Sequence, residues 1–442
     1  MKGPEADAPT SETAEAPEPQ RTWAQALRES ALAVVIFLFL SWAAAEGRLG
    51  WFSDTLSDAQ DQAYDALASL EYHFAGPVVP PPGTPPVVFV DIDDATVQAA
   101  DISPYLFHRR LLAELLGRVA ATQPRAVYVD LNLSAPSQEP ELGRTGQARF
   151  PRSPGDEALL SVLRTPQEFP VLLPQPAVFG EPLSTLGAAC WVTPAVITDS
   201  GDTVRRVPRR WAGGPYPVSE ALFLAAQSGG FRCPDAQRAS LPPQNVYRTA
   251  LYGEPIVFHE VPAPGTRTST WPGLSVISAR EVLTQPGTTL DPGALVVIGR
   301  TDANNMDMHG SAVGTLPGVE LHLNALMTLL AYRHPVIPLP PLASSLLAFT
   351  AMLLAIVTAP LLSERLARGL ARLGVRRTLR DVFEHPILWG LLFAAAFVAY
   401  RYAGRFLDFA LPIVSLELAR LALGRRFNQL ATKTLKMTKL LN

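Results

Sequence analysis

Between Lys2 and Lys433 the chain has no lysine, and arginine supplies almost every other cation. Any chemistry that requires a lysine in the middle of the chain is therefore excluded. A GC-rich coding sequence explains the arginine bias, so the bias itself carries no functional weight. Cysteine is nearly as scarce, with Cys190 and Cys233 the only two. An excess of positive charge is also missing: the formal net charge is -3, which gives no footprint for nucleic acid. Apolar residues are plentiful, and many gather in runs of membrane length. That leaves material for roughly one soluble domain among the 442 residues.

Residues 1–22 are rich in Pro, Ala, Glu and Ser without apolar periodicity, the composition of a disordered cytoplasmic tail. Ala31 to Ala45 is free of charge, and with Trp23 to Ser30 as a lead-in it forms a first span over 23–45. Arg21 and Arg28 favour a cytoplasmic amino terminus. A cleaved signal peptide competes with this reading, because Ala43, Ala44 and Ala45 resemble a cleavage site; the long leading tail argues against it. The second span is 342–362. Arg365, Arg368, Arg372, Arg376, Arg377 and Arg380 then place the loop 363–386 in the cytoplasm. Residues 387–400 and 406–423 are the third and fourth spans. Asp408 and Arg420 snorkel at the two ends of the fourth, and Glu417 faces other helices or a wet crevice. This topology exports 46–341 and describes a multi-pass membrane protein with a periplasmic or extracellular main domain. The basic tail 424–442 lies on anionic lipid, continues as a short signalling helix, or stays solvated.

Inside the exported region, Leu56, Ala59, Ala63, Ala66, Leu67 and Leu70 recur at helical spacing over 52–75. Pro77 to Pro86 is a stiff connector. The segments VVFVDID from Val87, LFHRRLLAELLGRVAAT and AVYVDLNL read as strand, helix and strand, a right-handed parallel crossover. Later segments read as a strand at FPVLLP, a hairpin around Asp199 to Asp202, a helix at VSEALFLAAQ, a strand at PIVFHE and a short helix at SAREVL. Residues 134–152 and 229–248 read as surface loops. The domain closes with an apolar strand at Leu295 to Ile298, a polar loop from Arg300 to Thr315, and a helix opened by Pro317 and Gly318. The fold class is α/β, with a layered, mixed but mostly parallel sheet and four transmembrane helices, one before the domain and three after.

Ligands of open α/β sheets bind at the carboxyl ends of strands, which here assembles Asp91, Asp93, Arg109, Asp130, Arg300 and Asp302 as a candidate small-ligand site. Internal salt bridging competes at each, with Asp91 and Asp93 capping helices and pairing with Arg109. Asp91, Asp93, Asp302 and Asp307 also resemble the Mg²⁺-holding carboxylates of haloacid-dehalogenase phosphatases. The missing lysine argues against that chemistry, so no catalytic residue, metal or cofactor is assigned. His309 and His322 lack the tight spacing of a zinc motif. Cys190 and Cys233 form a candidate disulfide in an exported domain, with two buried free thiols as the other reading.

Several of these residues together resemble the type-two CHASE domain, a bacterial extracellular sensory domain associated with cyclases and histidine kinases. They are Tyr64 and Asp65, the strand ending Asp91, Ile92 and Asp93, and Arg109, Asp130, the turn GDTVRR from Gly201 to Arg206, and the run IGR to LPGVELHLNAL. The family's Trp-Pro-Trp-Pro-Arg pattern survives here only as Arg109, after Pro104, Tyr105, Leu106, Phe107 and His108. No cyclase or kinase sequence follows the last span, so the resemblance implies an input module. Its output would be a cytoplasmic kinase or cyclase in trans, and a homodimer is a further expectation. A membrane scaffold without sensing is the alternative function, and an outward-facing metal-dependent phosphohydrolase the third.

Overall fold

The computed structural model describes residues 23–45, 51–74, 78–100, 108–136, 141–142, 148–149, 152–187, 189–198, 202–208, 214–228, 231, 253–259, 261, 271–285, 290–333, 337–338, 347, 350, 380–403, 405–406, 413–419 and 421–423. The helices are α1 (Trp23–Ala45), α2 (Trp51–Phe74), α3 (Asp94–Ala99), α4 (Arg109–Ala121), α5 (Pro154–Arg164), α6 (Val218–Ser228), α7 (Ala279–Thr284), α8 (Gly318–Tyr332) and α9 (Arg380–Ala403). The longer strands and their partners are β1 (Val87–Ile92), β2 (Ala126–Val129), β3 (Val171–Leu173), β4 (Ala189–Thr193), β5 (Ile197–Thr198), β6 (Thr203–Pro208), β7 (Tyr216–Pro217), β8 (Gly253–Pro255), β9 (Leu274–Ser278), β10 (Leu295–Arg300), β11 (Met308–Ser311) and β12 (Gly314–Pro317). The chain divides into two compact units, Met1–Leu56 with Pro340–Phe393 and Phe409–Asn442, and Ser57–Leu339 with Ala394–Asp408.

The second of these units is an α/β domain. Its main sheet runs β7-β4-β3-β2-β10-β1-β9, and every neighbouring pair is parallel. β1 and β2 are buried throughout, as expected of strands covered on both faces. Because strand side chains alternate, Val88, Val90, Val127, Val129, Val296 and Ile298 share one core with Leu112 and Leu115 of α4 and Leu159 of α5. Val87, Phe89, Tyr128, Leu295 and Val297 share the opposite core with Leu222 of α6 and Leu323 and Leu326 of α8. Each such side chain contributes about 1.5–3 kcal/mol when fully buried.

β10 comes last in sequence but sits in the middle, with Val296 paired to Val88 on one side and Val127 on the other. Its penultimate residue is Gly299, where a Cβ would lie 2.4 Å from a methyl of Val319. Glycine is required there because α8 crosses the strand. A smaller mixed sheet, β8-β6-β11-β12 with β5 paired to β6, lies in the same unit.

Several expected elements differ. The strand AVYVDLNL stops at Val129, because the Asn132 side chain accepts from the Ser134 backbone and hydroxyl and turns the chain. Of PIVFHE only Pro255 is in a strand, as the last residue of β8. Beyond it, Ile256 N still donates to the Arg205 carbonyl of β6, but Val257 N donates to Thr328 Oγ1 and His259 N to Asn324 Oδ1, so the segment passes from the sheet to α8. The polar loop 300–315 contains β11 and the start of β12, which form a hairpin. Within 134–152, Glu141–Leu142 pairs with Ala148–Arg149. β9 was not expected: it is an edge strand with exposed Ser275, so its sequence lacks the continuous apolar signal of β1 and β10. The hairpin around 199–202 is bracketed by the antiparallel pairing of β5 with β6, and residues 199–201 lie outside the described residues. So does 229–248, apart from Phe231.

In the first unit, Ala33 of α1 packs with Leu416 and Ala419. Among the described residues, no helix is long and apolar enough to cross a membrane. Of the span expected at 342–362, only residues 347 and 350 are described. α9 is longer than the third expected span. The fourth was expected to begin at 406, yet Arg405–Phe406 is a short strand paired in parallel with Ile337–Pro338, and the described helical residues begin at 413.

Candidate functional site

The turns leaving β2, β3 and β10 enclose a cavity of about 730 Å³, whose wall includes Arg109, Asp130, Gln175, Arg300, Asp307 and His322. Arg109 opens α4 and is only 5% exposed. One terminal nitrogen donates to the Asn132 carbonyl at 3.0 Å, and the guanidinium carbon lies 5.5 Å from the ring centre of Phe179. Its Nε has no hydrogen-bond partner, and no described carboxylate comes within ion-pairing distance. Burial pulls its pKa down and the nearby Asp156 charge pushes it back, but a guanidinium stays protonated regardless.

Asp130 follows β2. Its Oδ1 accepts from the Tyr128 hydroxyl at 2.6 Å. Burial raises the Asp130 pKa, with His322 and the Tyr128 bond acting against it. His322, on α8, has its pKa lowered by burial, and its ring stands edge-on to Tyr128 at 5.8 Å. Arg300, at the end of β10, makes a two-pronged bond to Asp302, 2.7 Å from Nε and 2.9 Å from a terminal nitrogen. His309 and Asp307 meet at 2.8 Å.

The six candidate residues thus separate. Arg109, Asp130 and Arg300 line the cavity; Asp91, Asp93 and Asp302 do not. Asp91 is 1% exposed and accepts from the Thr301 hydroxyl at 2.7 Å. Burial is the main reason its pKa rises to about 7, and the Thr301 bond opposes the rise. Asp93 caps α3 through Thr96 N at 2.8 Å and accepts from Ser278 at 3.0 Å. The expected pairing of these two with Arg109 is corrected: Arg109 turns to the Asn132 carbonyl after β2, while Asp91 and Asp93 leave β1 toward Thr301 and α3. The four carboxylates of the phosphatase comparison are held by different partners. Among the described residues, no three His, Cys, Asp or Glu side chains are grouped to hold a metal ion.

Gln175 was missed. It is 8% exposed, lines the cavity after β3, and leaves Nε2 without an acceptor. A lone glutamine between prolines carries no sequence signal. Cys190, buried in β4, is disulfide-bonded, and the chain's other cysteine, Cys233, lies outside the described residues.

The family model described as the CHASE2 domain matches residues 31–358. The chain belongs to the CHASE2 family. No curated protein and no solved structure matches it. CHASE2 is a family of sensory domains. Of the residues that carry the resemblance, Arg109, Asp130 and Arg300 line the cavity, whereas those of α2 and β6 meet away from it. Arg205 forms a bidentate bond to Asp65 of α2 at 2.6 Å, and Arg206 reaches Asp61 at 2.8 Å. Tyr64 donates to the Ile256 carbonyl. The tandem arginines of the GDTVRR run therefore clamp α2 onto β6, a role the hairpin reading alone did not supply. Further along α2, buried Glu71 bonds Arg401, and the Tyr332 hydroxyl at the end of α8 donates to the Arg401 carbonyl.

Proposed function

We propose that this CHASE2 protein is a membrane-anchored extracytoplasmic sensor that binds a small ligand in the cavity and signals to a cytoplasmic kinase or cyclase in trans. In this reading it is a homodimer without enzymatic activity of its own. Four spans, within 23–45, 342–362, 387–400 and 406–423, keep both termini in the bacterial cytoplasm and export 46–341. The surface of α1 supports a lipid setting: it buries Ala33, Phe37 and Leu40 while leaving Val35 62%, Phe39 55% and Trp42 49% exposed.

The observation that carries the ligand-binding reading is Arg109, a buried cation on the wall of a sizeable cavity with Asp156 nearby but no carboxylate in ion-pairing contact among the described residues. Burying an unpaired charge costs several kcal/mol, and a structural arginine would normally be paired. A scaffold reading draws instead on Met306 and Met308, which are 80% and 44% exposed beside the cavity and could cover a partner surface.

Two measurements separate these readings. In intact cells, a membrane-impermeant maleimide is expected to label Met306→Cys and to spare Thr378→Cys; the reverse would remove the topology. A strain carrying Arg109→Met, with normal amounts of protein in the membrane, is expected to reproduce the transcriptional profile of a deletion strain. A wild-type profile would favour the scaffold.

A further inference from the structure

The cavity wall presents opposite demands at two places. Its lining includes Arg109, charged and with no carboxylate in ion-pairing contact among the described residues, and Gln175, whose amide nitrogen finds no acceptor among them. Both are more than nine-tenths buried. The lining also includes Asp130, which accepts a side-chain hydrogen bond from Tyr128 and, among the described residues, has no cationic side chain bonded to it. The remaining charged groups of the wall are already matched, Arg300 by Asp302 and His309 by Asp307. A buried cation, a buried amide and a carboxylate therefore line one cavity.

Resting on the sensor reading above, we infer that the cavity takes a small zwitterion of the amino-acid or dipeptide class, its carboxylate received by Arg109 and Gln175 and its ammonium by Asp130. A simple anion would satisfy Arg109 but place like charge near Asp130. A simple amine would satisfy Asp130 and leave the guanidinium uncompensated. Only a molecule carrying both groups answers both sides. The cavity volume of about 730 Å³ leaves room for a side chain beyond the two charged ends.

The test uses the full chain in lipid nanodiscs and calorimetric titration with the twenty common amino acids and alanyl-alanine. Propionate, ethylamine and inorganic phosphate serve as comparators. At least one zwitterion is expected to bind, with the carboxylate or amine of matching size weaker by about tenfold or more, the worth of one charged hydrogen bond. Free amino acids and the dipeptide form separate arms, and the tighter one names the source. Arg109→Met is expected to weaken binding by about 100-fold. Asp130→Asn is expected to bring zwitterion and carboxylate within about threefold of each other, since it removes the group that tells them apart.

The comparison of probes on the unaltered protein needs no variant, so a misfolded substitution does not compromise it. Propionate or phosphate binding as tightly as any zwitterion overturns the ligand class and leaves the sensor reading standing. Absence of binding by every zwitterion also overturns the class, and a wild-type transcriptional profile for Arg109→Met is what would remove the sensor reading itself.

Discussion

Replacing Asp91 with asparagine isolates one buried ionisation. Asp91 is 1% exposed and its pKa is raised from 3.8 to about 7, chiefly by burial. A carboxyl with a raised folded-state pKa is held protonated after the unfolded chain has already ionised. Stability is then complete below pH 3.8, falls as pH rises, and reaches its lower plateau above pH 7. At 1.36 kcal/mol per unit the whole loss is about 4 kcal/mol, of which roughly 2.5 kcal/mol falls between pH 5 and pH 8. His259 acts in the opposite sense: burial lowers its pKa to about 4, so its contribution is lost as pH falls below 6.5. The wild-type profile alone therefore mixes slopes of both signs, to which Asp130, Glu71 and His322 also contribute. Subtracting the Asp91→Asn profile from it cancels His259 and leaves Asp91. An asparagine carbonyl can still accept from Thr301, so the substitution changes charge with little change of shape. Thermal unfolding of the full chain in nanodiscs at pH 5 and pH 8 is the assay. The variant is expected to gain on the wild type by roughly 5–10 °C in domain midpoint between those two pH values. A constant difference at both pH values would refute the argument that burial governs this carboxyl.

Two other outcomes follow from the packing. Arg401→Met strands Glu71, which is fully buried, whose pKa burial already raises, and whose second oxygen has no partner; about 3–5 kcal/mol should be lost. The double variant with Glu71→Gln should recover most of it in chemical denaturation. Gly299→Ala should cost about 1–3 kcal/mol because its methyl would overlap Val319, and Val319→Ala in the same chain should return part of that loss in a thermal scan.

The parallel core was legible because β1, β2 and β10 are apolar on consecutive residues, and so was the location of the cavity, since strand carboxyl ends follow from topology. Which carboxylates reach the cavity was not legible. Asp91 and Asp93 leave the same end of β1, but the Thr301 hydroxyl takes one and the α3 amino end the other, partners distant in sequence. Arg109 was legible as a helix residue of the candidate site; its lack of a directly paired counter-ion depends on where Asp156 and Asp302 lie in space. The segment Ile256–His259 misled because buried apolar residues look alike whether a sheet or a helix side chain satisfies their backbone. β9 was hidden by its exposed edge. The arginine clamp on α2 could be suspected only from the family motif, since Asp61 and Asp65 are about 140 residues from their partners.

α8 begins at Gly318 and His322 in the cavity wall and finishes at Tyr332 against the Arg401 backbone. Its 15 residues cover about 22 Å. A helix is stiff along its axis, so a push at one end arrives at the other with little slack. Under the sensor reading, a ligand beside Gly318 would bear on the same rod that meets the end of α9. Lengthening that rod by one residue would rotate Tyr332 by about 100° away from its acceptor while leaving the pocket intact.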